Sequence, residues 1–220
     1  MVKYRTLPII GHQDEPLPHT FLEQEVKTDH LALLLPGVGY TVHMPLLYYP
    51  MLELVGRGAD VLRVETMYVR QSGFEKLSPA DRARWVFADA IAACSVALAQ
   101  RAYTRITLVG KSLGTMTMGY LLTSEARLAH ANAIWLTPLL WNDVLRSQIQ
   151  QTSPNSLFVV GTADPHYNPA LLSEVETATD GQSVVIEEGN HSLEIQGDVL
   201  GSIQAIDTVM RAVKAFLDTC

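Results

Sequence analysis

The sequence predicts a three-layer αβα sandwich around a mostly parallel sheet. Three observations predict it. Short apolar runs alternate with segments of helical spacing along most of the chain. Most of these runs are continuous rather than alternating, as in strands covered on both faces. And 220 residues with 48% hydrophobic and 18% charged side chains suit one domain, residues 1–220, with a large core.

The runs come in order. Residues 31–35, Leu-Ala-Leu-Leu-Leu, form a buried strand that ends at Pro36-Gly37-Val38-Gly39. Residues 45–56 read as a helix interrupted by Pro50, and 59–68 contain a second strand. Ser78-Pro79 with Asp81 behind it marks a helix start, and the helix runs to about Ala102. Then follow a strand at 105–110, a helix at 113–123, strands at 131–137, 156–161 and 183–187, and a closing helix at 203–217. Residues 8–18, with three prolines and mixed charges, read as a surface connection between two N-terminal strands. Strands separated by helices pair in parallel through right-handed crossovers.

Composition narrows the function classes. The net charge is −7 and no basic run occurs, so nucleic acid is not an expected partner. The first residues have too little continuous apolar sequence for a signal peptide, and no run reaches the ~18 residues of a membrane span. The expectation is a cytoplasmic protein with no membrane partner. Cys94 and Cys220 make no disulfide framework and no metal pair. Cys94 is expected to pack in the core beside Phe87, Ile91 and Leu98, with Cys220 exposed at the terminus. No His, Asp or Glu group has metal-ligand spacing, so neither metal nor cofactor is expected.

In open parallel sheets reactive groups gather beyond the carboxyl ends of strands. After strand 105–110 comes Gly110-Lys111-Ser112-Leu113-Gly114, a G-x-S-x-G between a strand and a helix. A sharp turn there pushes a serine hydroxyl out of the sheet. After strand 156–161 comes Gly161-Thr-Ala-Asp164, and after the last strand Gly189-Asn-His191. Ser112, Asp164 and His191 thus fall in the order nucleophile, acid, base, each past its own strand. The spacings, 164 − 112 = 52 and 191 − 164 = 27, leave room for two strand–helix units and then one. Serine needs a base within hydrogen-bond reach, histidine titrates near neutrality, and a carboxylate orients the imidazole. Asp143 is the rival acid.

On these residues the chain resembles the α/β-hydrolase superfamily, from Leu31 to Leu217. In size it is most similar to compact, lidless members of the dienelactone-hydrolase-like and small-esterase type. The resemblance implies Ser112 as nucleophile, His191 as base and Asp164 as orienting acid. It also implies an oxyanion hole from the N–H of Leu113 and a second N–H in the turn after strand 31–35, Val38 before Gly39. Where many relatives carry a cap, this chain has only residues 138–155, so no large lid is expected. Dienelactone hydrolases proper use cysteine where this chain has Ser112, so their substrate does not carry over.

The expected function is hydrolysis of a small-molecule carboxylic ester or thioester through an acyl-enzyme. Acyl transfer or amide cleavage by the same triad, and a non-catalytic binding module on the same fold, are the alternatives. Tyr40, Met44, Leu139 and Trp141 are candidate pocket walls, with Leu46 and Leu140. Lys111 reads as a solvated or ion-paired lysine, or else as a charge drawing anionic substrates. His43 and His166 are expected near the mouth, as wall or surface residues.

Overall fold

The computed structural model describes residues 1–220. Eight strands form one sheet: β1 (Val2–Arg5), β2 (His19–Gln24), β3 (His30–Leu35), β4 (Asp60–Val64), β5 (Arg105–Lys111), β6 (Asn132–Leu136), β7 (Asn155–Gly161) and β8 (Gln182–Ile186). The six helices are α1 (Pro45–Gly56), α2 (Pro79–Leu98), α3 (Leu113–Ser124), α4 (Asp143–Thr152), α5 (Pro169–Thr179) and α6 (Val199–Asp218). The strand order is β1-β2-β4-β3-β5-β6-β7-β8. β1 and β2 are antiparallel to their neighbours, and every pair from β4 through β8 is parallel.

Side chains alternate across the sheet, so each central strand feeds two cores. Leu31, Leu33 and Leu35 of β3 pack under α2 to α5 with Trp135 and Phe158. Ala32 and Leu34 turn the other way, towards α1 and α6, with Val109, Ile134 and Phe216. This double burial explains why β3 carries no polar residue after His30: all six of its residues are buried.

The helices start where the sequence places stop and start signals. The Ser78 hydroxyl accepts the Asp81 N–H at 3.1 Å and Pro79 takes the first turn. Asn142, Asn168 and Asp198 cap α4, α5 and α6 in the same way.

Two packing expectations are corrected. Residues 8–18 are not merely a surface connection. Leu7, Ile9 and Leu17 are buried in the core under α2, and the His12 N–H donates to Asp89 of α2 at 2.7 Å. On α2, Cys94 is buried as expected, but Ile91 is 39% exposed. The inward stripe is Val86, Ala90, Ala93, Cys94, Ala97 and Leu98. The alanines let the helix approach the sheet closely and rotate Ile91 outward. Half-buried Phe87 instead stacks on Tyr120 of α3, with ring centroids 4.4 Å apart.

Candidate active site

β5 ends in Lys111 and α3 begins at Leu113, so Ser112 alone makes the turn. Its backbone sits at φ 54°, ψ −114°, a conformation that L-residues seldom adopt and that costs on the order of 1–3 kcal/mol. The turn is so tight that α3 crosses hard against β3. A Cβ on Gly114 would run into the carbonyl oxygen of Leu35. Only glycine fits there, which is the physical content of the second glycine in G-x-S-x-G.

Asp164 follows β7 and His191 follows β8, whose C-terminal ends are adjacent through the Gly161–Ile186 register. The loops carrying them touch. The Ala163 N–H donates to the Gly189 carbonyl at 3.0 Å, and a Cβ on Gly161 would collide with that same carbonyl. Asn190 tightens the His191 loop: its side-chain oxygen accepts the N–H groups of Ser192 at 2.8 Å and Glu194 at 3.1 Å.

These turns bring three distant side chains into line. Ser112 Oγ lies 2.8 Å from His191 Nε2, and His191 Nδ1 lies 2.7 Å from Asp164 Oδ2. The other oxygen of Asp164 accepts the His166 N–H at 2.9 Å. Burial pushes the Asp164 carboxyl up, but the hydrogen bonds to His191 and His166 and their charge outweigh it. Its pKa therefore lies below the ordinary carboxylate value. Asp143, the rival acid, is far from this arrangement in character. It opens α4 with an 88% exposed side chain and pairs with Arg146.

A model of the family described as alpha/beta hydrolase domain matches residues 28–218. The chain belongs to the α/β-hydrolase family.

No curated protein matches this α/β-hydrolase in sequence. Among solved structures it is similar to the Pyrococcus furiosus esterase Pf2001, at 13% identity and a TM-score of 0.73, over 99% of this chain and 93% of that one. It is likewise similar to Est1E from Butyrivibrio proteoclasticus, solved with ferulic acid bound. There the identity is 13% and the TM-score 0.69, over 98% and 97% of the two chains. Dienelactone hydrolase from Anabaena variabilis gives 14% and 0.70, over 99% and 98%. At these identities the likeness is one of fold.

The other expected site residues divide. Leu113 opens α3, so its N–H is one of the helix-start donors that lack an intrahelical acceptor. The turn after β3 lies against the elbow: a Cβ on Gly37 would come within 3.5 Å of Ser112 Cβ. Val38, next in that turn, is 39% exposed. Val38, Leu113, Leu139 and Trp141 all line one cavity of about 450 Å³, together with Val69 and Met116. Tyr40 and Met44 do not line it. Tyr40 is buried on the opposite side, edging a groove between α1 and α6, and Met44 packs into the core beneath those helices. Leu46 and Leu140 are core residues, 1% and 3% exposed. The hydrogen bond from the Gly37 N–H to the Tyr40 carbonyl closes the turn and sends the chain after Gly39 towards α1.

His166 stands edge-on to His191, ring centroids 5.3 Å apart, while His43 is exposed. Asp164, His166 and His191 bring potential metal-ligand atoms within 4.8 Å of one another, a grouping that linear spacing did not reveal. Two of the three are already hydrogen-bonded to each other.

Both readings of Lys111 are overturned. Its side chain is neither solvated nor ion-paired nor offered to substrate, because the residue is 1% exposed. Its Nζ donates to the His191 carbonyl at 2.8 Å. A charged residue beside a strand-end serine looks like a surface residue in sequence. It is buried here because the His191 loop folds over it.

Proposed function

We propose that this α/β-hydrolase is a serine hydrolase that cleaves a carboxylic ester or thioester of a small molecule. One observation carries the reading: the unbroken hydrogen-bond chain from Ser112 through His191 to an ionised Asp164. Asp164 holds the imidazole with Nδ1–H towards itself, leaving Nε2 to take the serine proton. Ser112 then attacks the carbonyl carbon. The N–H groups of Leu113 and Val38 receive the oxyanion, each donor being worth about 3 kcal/mol of barrier where such donors have been removed. His191 returns the proton to the leaving alcohol or thiol, and water repeats the cycle on the acyl-Ser112 ester.

The cavity beside Leu113 and Val38 receives the acyl group. Ten of its fourteen lining residues are hydrophobic, with Glu75, Arg82 and Asn142 among the others, a lining that favours short to medium hydrocarbon acyl chains. No separate lid covers it: between β6 and β7 the chain offers only a short connection and α4.

The test is labelling with a fluorophosphonate probe, followed by a panel of nitrophenyl esters and acyl thioesters. Wild type is expected to be labelled at Ser112 and to turn over members of the panel, and Ser112→Ala to lose both. Labelling that survives in Ser112→Ala places the nucleophile elsewhere. A probe-silent wild type that binds esters without turnover favours a binding module.

A further inference from the structure

Lys111 is the last residue of β5 and stands on the same face of the sheet as Val109, above α1 and α6. A buried ammonium is costly, and a methionine would fill the same space without that cost. What the ammonium touches accounts for its presence. One N–H donates to the His191 carbonyl at 2.8 Å, and the charge stands 5.0 Å from the centre of the Tyr40 ring. Tyr40 in turn belongs to the turn that carries Val38: its carbonyl accepts the Gly37 N–H at 3.2 Å, and its hydroxyl accepts the Leu46 N–H at 2.9 Å. Lys111 therefore joins three pieces of the site, the elbow at Ser112, the base loop at His191 and the turn after β3.

The charges around it are few. Asp164 attracts it from the β7 loop, and the same carboxylate is the partner of His191. His166 lies beyond His191, and Glu194 acts on Tyr40 from the base loop. No carboxylate reaches Nζ in an ion pair, so the lysine is held by a carbonyl and a ring face.

We infer that Lys111 is a positioning residue: its ammonium fixes the backbone of His191 through the carbonyl contact and, across the face of the Tyr40 ring, ties that loop to the turn that carries Val38. The inference rests on the reading of Ser112 and His191 as nucleophile and base. Burial lowers the lysine to about 8, with Asp164 opposing the shift, so the ammonium predominates at neutral pH and fades on the alkaline side.

Two variants separate the contact from the charge. Lys111→Met removes both and fills the space; Lys111→Gln keeps an N–H donor and removes the charge. Each is compared with wild type on a nitrophenyl ester by kcat, by KM and by thermal unfolding. In Lys111→Met, kcat is expected to fall about tenfold or more with KM changed less than about twofold, as for a group acting on the reacting machinery rather than on substrate binding. Lys111→Gln, which keeps an N–H donor, is expected to recover part of kcat.

Wild-type kcat in Lys111→Met overturns the inference. So does a fall in kcat that merely tracks a fall in the folded fraction. Failure of the underlying reading looks different: there Ser112→Ala keeps its labelling and its turnover, whatever Lys111 does.

Discussion

The hydroxyl of Ser112 and the Nε2 of His191 lie 2.8 Å apart, although 79 residues separate them in the chain. Nothing local holds the pair. Ser112 is placed by the strained turn between β5 and α3, and His191 by a loop braced on Gly161, Ala163 and Lys111. The pair is thus a product of strand order, which sets the ends of β5, β7 and β8 along one edge of the sheet. Asp164 completes it from β7, and its lowered pKa keeps it a carboxylate. The stability Asp164 contributes is therefore present above its unfolded pKa and is lost as pH falls through the lower folded value.

Under the proposed mechanism, Asp164→Asn should leave the fold in place while removing the group that orients the His191 ring. A loss of about 10⁴-fold in kcat is expected, the size seen for the same change in a protease triad. Steady-state kinetics on a nitrophenyl ester beside a circular-dichroism melt checks this. Wild-type turnover in the variant would show that Asp164 does not orient His191.

The strain at Ser112 gives a prediction of opposite sign to the usual one. At an ordinary site glycine is less stable than alanine, by about 0.4–1 kcal/mol, because its unfolded chain is freer. At φ 54°, ψ −114° alanine bears a steric cost that glycine escapes. Ser112→Gly is expected to unfold at a higher temperature than Ser112→Ala, with about 1 kcal/mol in its favour and neither variant active. Equal melting points, or alanine the more stable, would show that the elbow is not strained in solution.

How much of this was readable in the chain follows from where the signals are local. A continuous apolar run announces a buried strand, and Gly-Lys-Ser-Leu-Gly or Gly-Thr-Ala-Asp directly after it marks the carboxyl end, where Ser112 and Asp164 stand. His191 follows the last run in the same way. What the sequence left open needed tertiary information. Tyr40 and Met44 share a segment with Val38, and only the geometry of the turn decides that Tyr40 lines a second groove, between α1 and α6 beside Ser192, and that Met44 packs near it, while Val38 faces the cavity. Residues 8–18 look loose because of their prolines, yet Ile9 and Leu17 within them, with Leu7 just before, find the core under α2. Lys111 reads as exposed because nothing near it in sequence reveals the loop, 80 residues on, that covers it.

Burial of Lys111 has a thermodynamic consequence that can be measured apart from activity. Its folded pKa, about 8, lies below its usual value of 10.5. Below about pH 8 both folded and unfolded chains carry the proton and the full cost of burying the charge is present. Between about 8 and 10.5 the unfolded chain binds the proton that the folded one has shed, so stability rises with pH from this group. Lys111→Met removes the cost and also loses the bond to His191. It is expected to be more stable than wild type at pH 7 by about 1–3 kcal/mol, within the range found when buried charges are replaced by apolar side chains. The advantage should shrink at about pH 9.5, since wild type recovers there. Urea unfolding at the two pH values tests this, and a gap that stays constant or widens contradicts it.

The last prediction concerns the cavity. Met116 of α3 lines it with Leu113, Leu139 and Trp141, and is only partly buried, so a larger side chain there has room to enter the cavity without displacing the core. Met116→Trp is expected to occupy part of the 450 Å³ and leave Ser112 and His191 untouched. Each methylene buried in an apolar pocket is worth about 0.8 kcal/mol, roughly fourfold in kcat/KM, so wild type should gain along the series from acetyl to hexanoyl esters. In Met116→Trp the gain should stop after the first few carbons, with kcat/KM for the acetyl ester within about twofold of wild type and that for the hexanoyl ester lower by about tenfold. A variant whose chain-length profile parallels wild type would show that the acyl chain leaves the site by another route, along the groove that Tyr40 and Ser192 edge beside α6.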